Sequence, residues 1–160
     1  MGTSEPDGER LLVDINAIAI TVLSDHPGHE YVFPHVQRGF TGETVLLVFD
    51  YFPLRAQYVL TTWYEVDEHR ARNAVQRFLR QPVQIVSADR DPLLNAHEVS
   101  TSKTHEVHDT LLVSLARTHE ADALLTTDTD FEDLCADEAF VYRNPVPSEV
   151  LAKFESGLNG

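Results

Sequence analysis

Cysteine is almost missing from this 160-residue chain: Cys135 stands alone. One thiol excludes both a disulfide framework and a zinc site built on thiolates. Lysine is nearly as scarce, because Lys103 and Lys153 are the only two among 12 basic Lys and Arg residues. Long apolar runs are absent too. None approaches the roughly 20 residues that a membrane-spanning helix requires. The opening "MGTSEPDGER" lacks the basic and then apolar regions of a signal peptide, so a cytoplasmic protein without membrane contact is expected. No low-complexity tract, repeat or linker divides the chain. A single domain over 1–160 is expected, with 1–8 as a flexible N-terminus.

What the chain has in excess is acid. There are 26 Asp and Glu residues against 12 Lys and Arg, a formal net charge of −14. The acids are spread along the whole sequence, as in the solvated coat of a halophilic protein, whose self-repulsion concentrated salt screens. Such a surface does not attract nucleic acid. A nucleic-acid substrate would have to be held by local arginines or by metal ions.

The hydrophobic pattern alternates between short buried strands and amphipathic helices. Apolar runs at 10–14, 44–49, 83–86, 123–125 and 140–143 have the character of strands in a parallel sheet. Helical spacing is expected at 15–22, at 29–40 with a late start or kink at Pro34, at 53–64 behind Pro53, and at 66–81. A short helix from 89, a polar break and a long helix follow. Val107, Leu111, Leu112, Leu115 and Ala116 mark the long helix's buried stripe. A last helix spans 147–156. The expected architecture is a three-layer α/β/α sandwich on a five-stranded parallel sheet.

In such sheets ligands bind beyond the carboxyl ends of the strands. Asp14 lies just past the first strand, Asp50 just past the second, and Asp128 three residues past the fourth. Asp109 sits within the apolar long helix, where Asp is a poor interior residue. Each acid has a structural explanation by itself: a helix cap, a turn, or a first-turn acid favoured by the helix dipole. Together at one sheet edge they would repel strongly unless a cation neutralised them. Mg²⁺ or Mn²⁺ is the natural occupant, being a hard ion that takes oxygen ligands and is often shared with substrate phosphates.

The stretches "LLVDIN" (11–16), "VHDTLLVSLA" (107–116), "ADALLTTDTDF" (121–131) and "RNPVP" (143–147) resemble PIN-domain nucleases, above all VapC-type toxins. The resemblance spans nearly the whole chain in order and spacing. It implies a Mg²⁺- or Mn²⁺-dependent endoribonuclease that leaves a 5′-phosphate. It also implies a homodimer and inhibition by a small antitoxin. By position, Asp14, Asp109 and Asp128 match the acids that hold the metal and its water. Asp130 matches a further acid near a second metal position. Asn16 and Thr126 match the polar residues that support the carboxylates.

One departure stands out. The family places a Glu on the helix after the second strand, where this chain has Arg55, Ala56 and Gln57. Either Asp50 supplies the acid from the neighbouring strand, or the site lacks it and Arg55 binds phosphate or offsets charge. The second case gives the alternative function, a catalytically weakened RNA-binding or protein-interaction module. A phosphatase ranks below both, since no Gly-rich phosphate loop accompanies the acids. Among smaller features, His105 and His108, nearest to the acids and spaced i, i+3, either line the cleft or, as the plainer reading, form a surface pair. The arginines at 70, 72, 77 and 80 are either a solvated helix face or an RNA contact. Tyr58, Trp63 and Tyr64 suit core packing or a dimer interface.

Overall fold

Consecutive apolar residues buried on both faces form the centre of a parallel sheet. In the computed structural model, which describes residues 8–103 and 107–159, Leu11, Leu12 and Val13 of strand β1 (Arg10–Val13) are fully buried. The first seven residues of the expected N-terminal tail and His105 lie outside the described residues.

Chain order then gives α1 (Ile15–Val22), α2 (His29–Phe40), β2 (Val45–Phe49), α3 (Phe52–Thr62), α4 (Glu68–Leu79) and β3 (Val83–Val86). The second half adds α5 (Arg90–Lys103), α6 (Val107–Thr118), β4 (Ala123–Leu125), α7 (Phe131–Leu134), β5 (Val141–Arg143) and α8 (Ser148–Asn159). The five strands pair in the order β3-β2-β1-β4-β5, all parallel. The expected five-stranded α/β/α architecture is therefore what the chain adopts. Among the described residues, no helix is long and apolar enough to cross a membrane.

Helix α1 packs against α2, α3 and α4, whereas α5 packs on α6 and α6 on α7. Ala19, Leu60, Ala71 and Val75 seal the seam between α1, α3 and α4. Helix α2 lies so close to β2 that a Cβ on Gly39 would sit 2.2 Å from Leu46 Cγ. Glycine is there for space. In α4 the Asp67 carboxylate caps the Arg70 N–H at 3.2 Å and Arg77 occupies the last turn, the polarity the helix dipole favours.

Three expectations are revised. Helix α2 starts at His29, ahead of Pro34 rather than after it. The short helix from residue 89 is α5, fourteen residues long, and it absorbs most of the expected polar break. Its Ala96 is fully buried and accepts a hydrogen bond from Thr110 Oγ1 at 2.7 Å, so packing on α6 overrides the weak helix preference of its Ser and Thr residues. Val107 is exposed at the tip of α6, and Val113 takes a place in the buried stripe with Leu112, Leu115 and Ala116.

Candidate metal centre

The strand order reverses between β1 and β4. From β1 the chain builds outward through β2 to β3, and from β4 it builds the other way to β5. A crevice opens at the carboxyl ends of two strands that part in this manner. Val13 and Leu125 are in register across that junction, and the Asp14 N–H donates to the Leu125 carbonyl at 3.0 Å. The residues that follow each strand, Asp14 on one side and Thr126 to Asp130 on the other, are thus delivered to one place.

Asp14 is 3% exposed and held from three directions. Its Oδ1 accepts the Ile15 N–H at 2.7 Å. Its Oδ2 accepts Thr126 Oγ1–H at 2.8 Å and Asn16 Nδ2–H at 3.3 Å. The Thr126 hydroxyl, itself fully buried, also accepts the Asp128 N–H at 3.0 Å and Asn16 Nδ2–H at 3.2 Å. Asn16 Oδ1 closes the net by accepting the Thr127 N–H at 3.0 Å. Asn16 and Thr126 therefore support the Asp14 carboxylate and tie it to the loop after β4. Burial pushes the Asp14 carboxyl above its usual value; the bonds from Thr126 and Ile15 and the proximity of His108 oppose this, while the charge of Asp128 adds to it.

Three further acids converge beside it. Asp109, 7% exposed, comes from the first turn of α6, where the backbone dipole favours negative charge. Asp128 accepts the Asp130 N–H at 3.0 Å, a tight turn that aims both side chains to the same side. Asp130 stands at the N-cap position of α7 yet makes no capping bond with its side chain. One carboxylate oxygen from each of Asp109, Asp128 and Asp130 lies within 4.8 Å of the others. Like charges this close, two of them joined by a turn and one buried, form a donor set that suits a hard divalent cation with oxygen ligands. Asp14 stands next to this trio, linked to Asp128 through Thr126, rather than within it.

The two residues considered for the missing helix acid lie apart. Asp50 accepts Ser87 Oγ–H at 2.8 Å, on the β3 side of β2, and belongs to no carboxylate cluster among the described residues. Arg55 is exposed on α3, with its guanidinium 4.7 Å over the ring of Tyr58 one turn along. Of the α4 arginines, Arg72 pairs with Glu68 on the solvent face at 3.2 Å.

His108 satisfies both readings offered for it, being exposed and close to Asp14. Its Nε2 lies 4.0 Å from Asp14 Oδ1 and its ring 5.6 Å from that of Phe52. The available signal was its position next to Asp109 on the first turn of the same helix.

A cavity of about 460 Å³ lies past the other end of α1, lined by His26, Trp63, Tyr64, Lys153 and Phe154 among others. It shares no residue with the acid cluster.

An open parallel α/β/α sheet whose reversal point is ringed by carboxylates defines the class of molecule. Searches of protein families and of curated proteins give no match to the sequence. Solved structures do match. VapC20 of Mycobacterium tuberculosis, a Sarcin-Ricin loop cleaving toxin, superposes with a TM-score of 0.62 at 14% identity, over 78% of this chain and 94% of that one. VapBC2 of Rickettsia felis, solved on a DNA fragment from its promoter, gives 0.62 at 14% identity over 84% and 98%. A toxin-antitoxin complex from Klebsiella pneumoniae gives 0.58 at 15% identity over 85% and 98%. The fold of this chain is the VapC-type PIN-domain fold.

Proposed function

We propose that this protein is a metal-dependent endoribonuclease, the toxin of a toxin–antitoxin pair. The observation that carries the proposal is the convergence of Asp109, Asp128 and Asp130, with Asp14 beside them, at the strand-order reversal of a VapC-type PIN fold. Asp14, Asp109, Asp128 and Asp130 hold Mg²⁺ or Mn²⁺. Asn16 and Thr126 keep the Asp14 carboxylate from rotating away. When bound, such an ion lowers the pKa of a water and stabilises charge on a phosphodiester in the transition state.

The residues divide the work by exposure. Asp14 and Asp109 are buried and fixed, so they anchor charge. Asp130, exposed on its turn, faces the solvent from which an RNA strand arrives. A chain of net charge −14 repels phosphate. RNA is therefore held at this edge only when the acids are neutralised, and its binding follows the cation.

The partners are an RNA substrate, a small antitoxin and a second copy of the chain. The second copy packs on the exposed face formed by Leu54 and Tyr58 of α3 with Tyr51 at its N-cap. Light scattering on Leu54→Glu tests that face; an unchanged mass would remove it. The catalytic proposal is tested by incubating wild type and Asp14→Asn with structured RNA and Mn²⁺ at high salt. Cleavage by wild type alone, abolished by EDTA, is expected. Identical and EDTA-insensitive results from both proteins would overturn it.

A further inference from the structure

The helix after β2 carries no acid at 55–57, and its first residue is an aromatic packed near His108. Helix α3 begins with Phe52, 2% exposed, wedged at 5.2 Å and 87° against Phe49. A second aromatic contact of that ring is the His108 imidazole, at 5.6 Å and a tilt of 33°. An aromatic shelf thus supports His108 while its side chain remains 44% exposed. Its Nε2 lies 4.0 Å from Asp14 Oδ1.

That separation is informative. It is too long for a hydrogen bond, which would close to about 3 Å. It is a natural spacing for two donors on one ion. With octahedral metal–donor distances of about 2.1 Å, donor atoms are roughly 3 Å apart when cis and roughly 4.2 Å apart when trans. At 4.0 Å the two donors fall between those positions and His108 stands outside the trio of acids, so a small rotation of its exposed side chain brings it onto an ion held beside Asp14. The imidazole also suits the charge of the site, since a neutral nitrogen ligand adds no repulsion to carboxylates already crowded within 4.8 Å.

We propose that His108 Nε2, propped by Phe52 and set 4.0 Å from Asp14, is a nitrogen ligand of the divalent ion, taking the place of the absent helix carboxylate and biasing the site toward Mn²⁺ over Mg²⁺. This rests on the reading that the acids hold an ion. The preference follows from ligand softness. Mg²⁺ takes oxygen ligands and keeps its waters, whereas imidazole favours transition metals.

The test uses the full chain and the metal alone. Pulsed electron paramagnetic resonance of bound Mn²⁺ is expected to show ¹⁴N modulation from a coordinated imidazole in wild type and none in His108→Gln. By calorimetry the substitution weakens Mn²⁺ binding about tenfold or more, in the range seen when groups around metal ligands are removed, and leaves Mg²⁺ binding within about twofold. Tight Mn²⁺ binding by wild type without nitrogen modulation, or modulation that persists in His108→Gln, overturns the assignment and leaves the carboxylate site standing. No Mn²⁺ binding by either protein overturns both.

Discussion

Replacing Asp109 by Asn is expected to make the metal-free protein more stable and the metal-bound protein less so. Asn keeps the shape and accepting oxygen of Asp but removes the charge. Asp109 has a carboxylate oxygen within 4.8 Å of oxygens on Asp128 and Asp130. One such pair, at an effective dielectric constant of about 20, repels by about 3.5 kcal/mol. Solvent around the half-buried Asp128 and the exposed Asp130 screens this, leaving about 1–2 kcal/mol to be relieved. For a chain of this length that amounts to a rise of about 2–8 °C in Tm. Mn²⁺ at a hundredfold excess over Kd stabilises wild type by about 2.7 kcal/mol. The variant lacks a buried ligand and loses most of that gain. Differential scanning calorimetry with and without Mn²⁺ should therefore give crossed rankings: variant above wild type in EDTA, below it in Mn²⁺. If Asp109→Asn lowers Tm in EDTA and keeps the full Mn²⁺ response, these acids are not a strained cation site and the argument from repulsion fails.

Thr126→Val removes a charge-assisted bond to buried Asp14 and leaves the Asp128 N–H without its acceptor; a loss of about 1.5–3 kcal/mol by urea unfolding is expected, and Thr126→Ser should recover part of it. Gly39→Ala drives a methyl into Leu46 and should cost about 1–3 kcal/mol by the same measurement, whereas a neutral result would mean that α2 shifts freely on the sheet. Burial, with Glu138 adding, pushes the Cys135 thiol up to about 11, so modification by a disulfide reagent at pH 8 should run roughly two orders of magnitude slower in the native protein than in guanidinium. Equal rates would contradict its burial. Burial, aided by the charge of His29, holds His26 below its usual value, and its Nδ1 accepts the Gly28 N–H at 2.9 Å. Its folded pKa lies below the unfolded 6.5, so its contribution is present above pH 6.5 and is lost as pH falls through the lower folded value. Between pH 7.5 and 5.5 wild type should lose more stability than His26→Gln, and parallel losses would refute that linkage.

The strands were legible because each is a short apolar run bounded by polar or turn residues. β2 and β5 differ from expectation only at their first residue, 45 for 44 and 141 for 140. The helices were less so where neighbours outweigh local preference. Residues 95–103 look polar and helix-poor, yet the sequence does not show that α5 has α6 to lie against. At the site, Asp14 and Asp128 could be put at one sheet edge because strand ends are easily found and parallel sheets bind at that edge, whereas Asp130 came only from the resemblance. Their roles proved double. Asp14 caps α1 and anchors the network, and Asp128 makes the turn that aims Asp130. That His108 could line the cleft was legible from its place beside Asp109; its contact with Phe52, 56 positions away, was not, since only folding brings that ring to it. Nor could the sequence show that Asp50 turns toward Ser87, because a strand-end side chain chooses its partner from whichever neighbour offers a donor.

The hydrogen bond between Thr126 and Asp14 joins positions 112 apart along the chain. Nothing shorter than most of the polypeptide can contain it. During synthesis Asp14 leaves the ribosome before Thr126 and waits without its hydroxyl partner until β4 and its following turn have emerged and docked. For a protein proposed to cut RNA, that order is protective: an interrupted or prematurely released chain carries half of a centre and harms nothing.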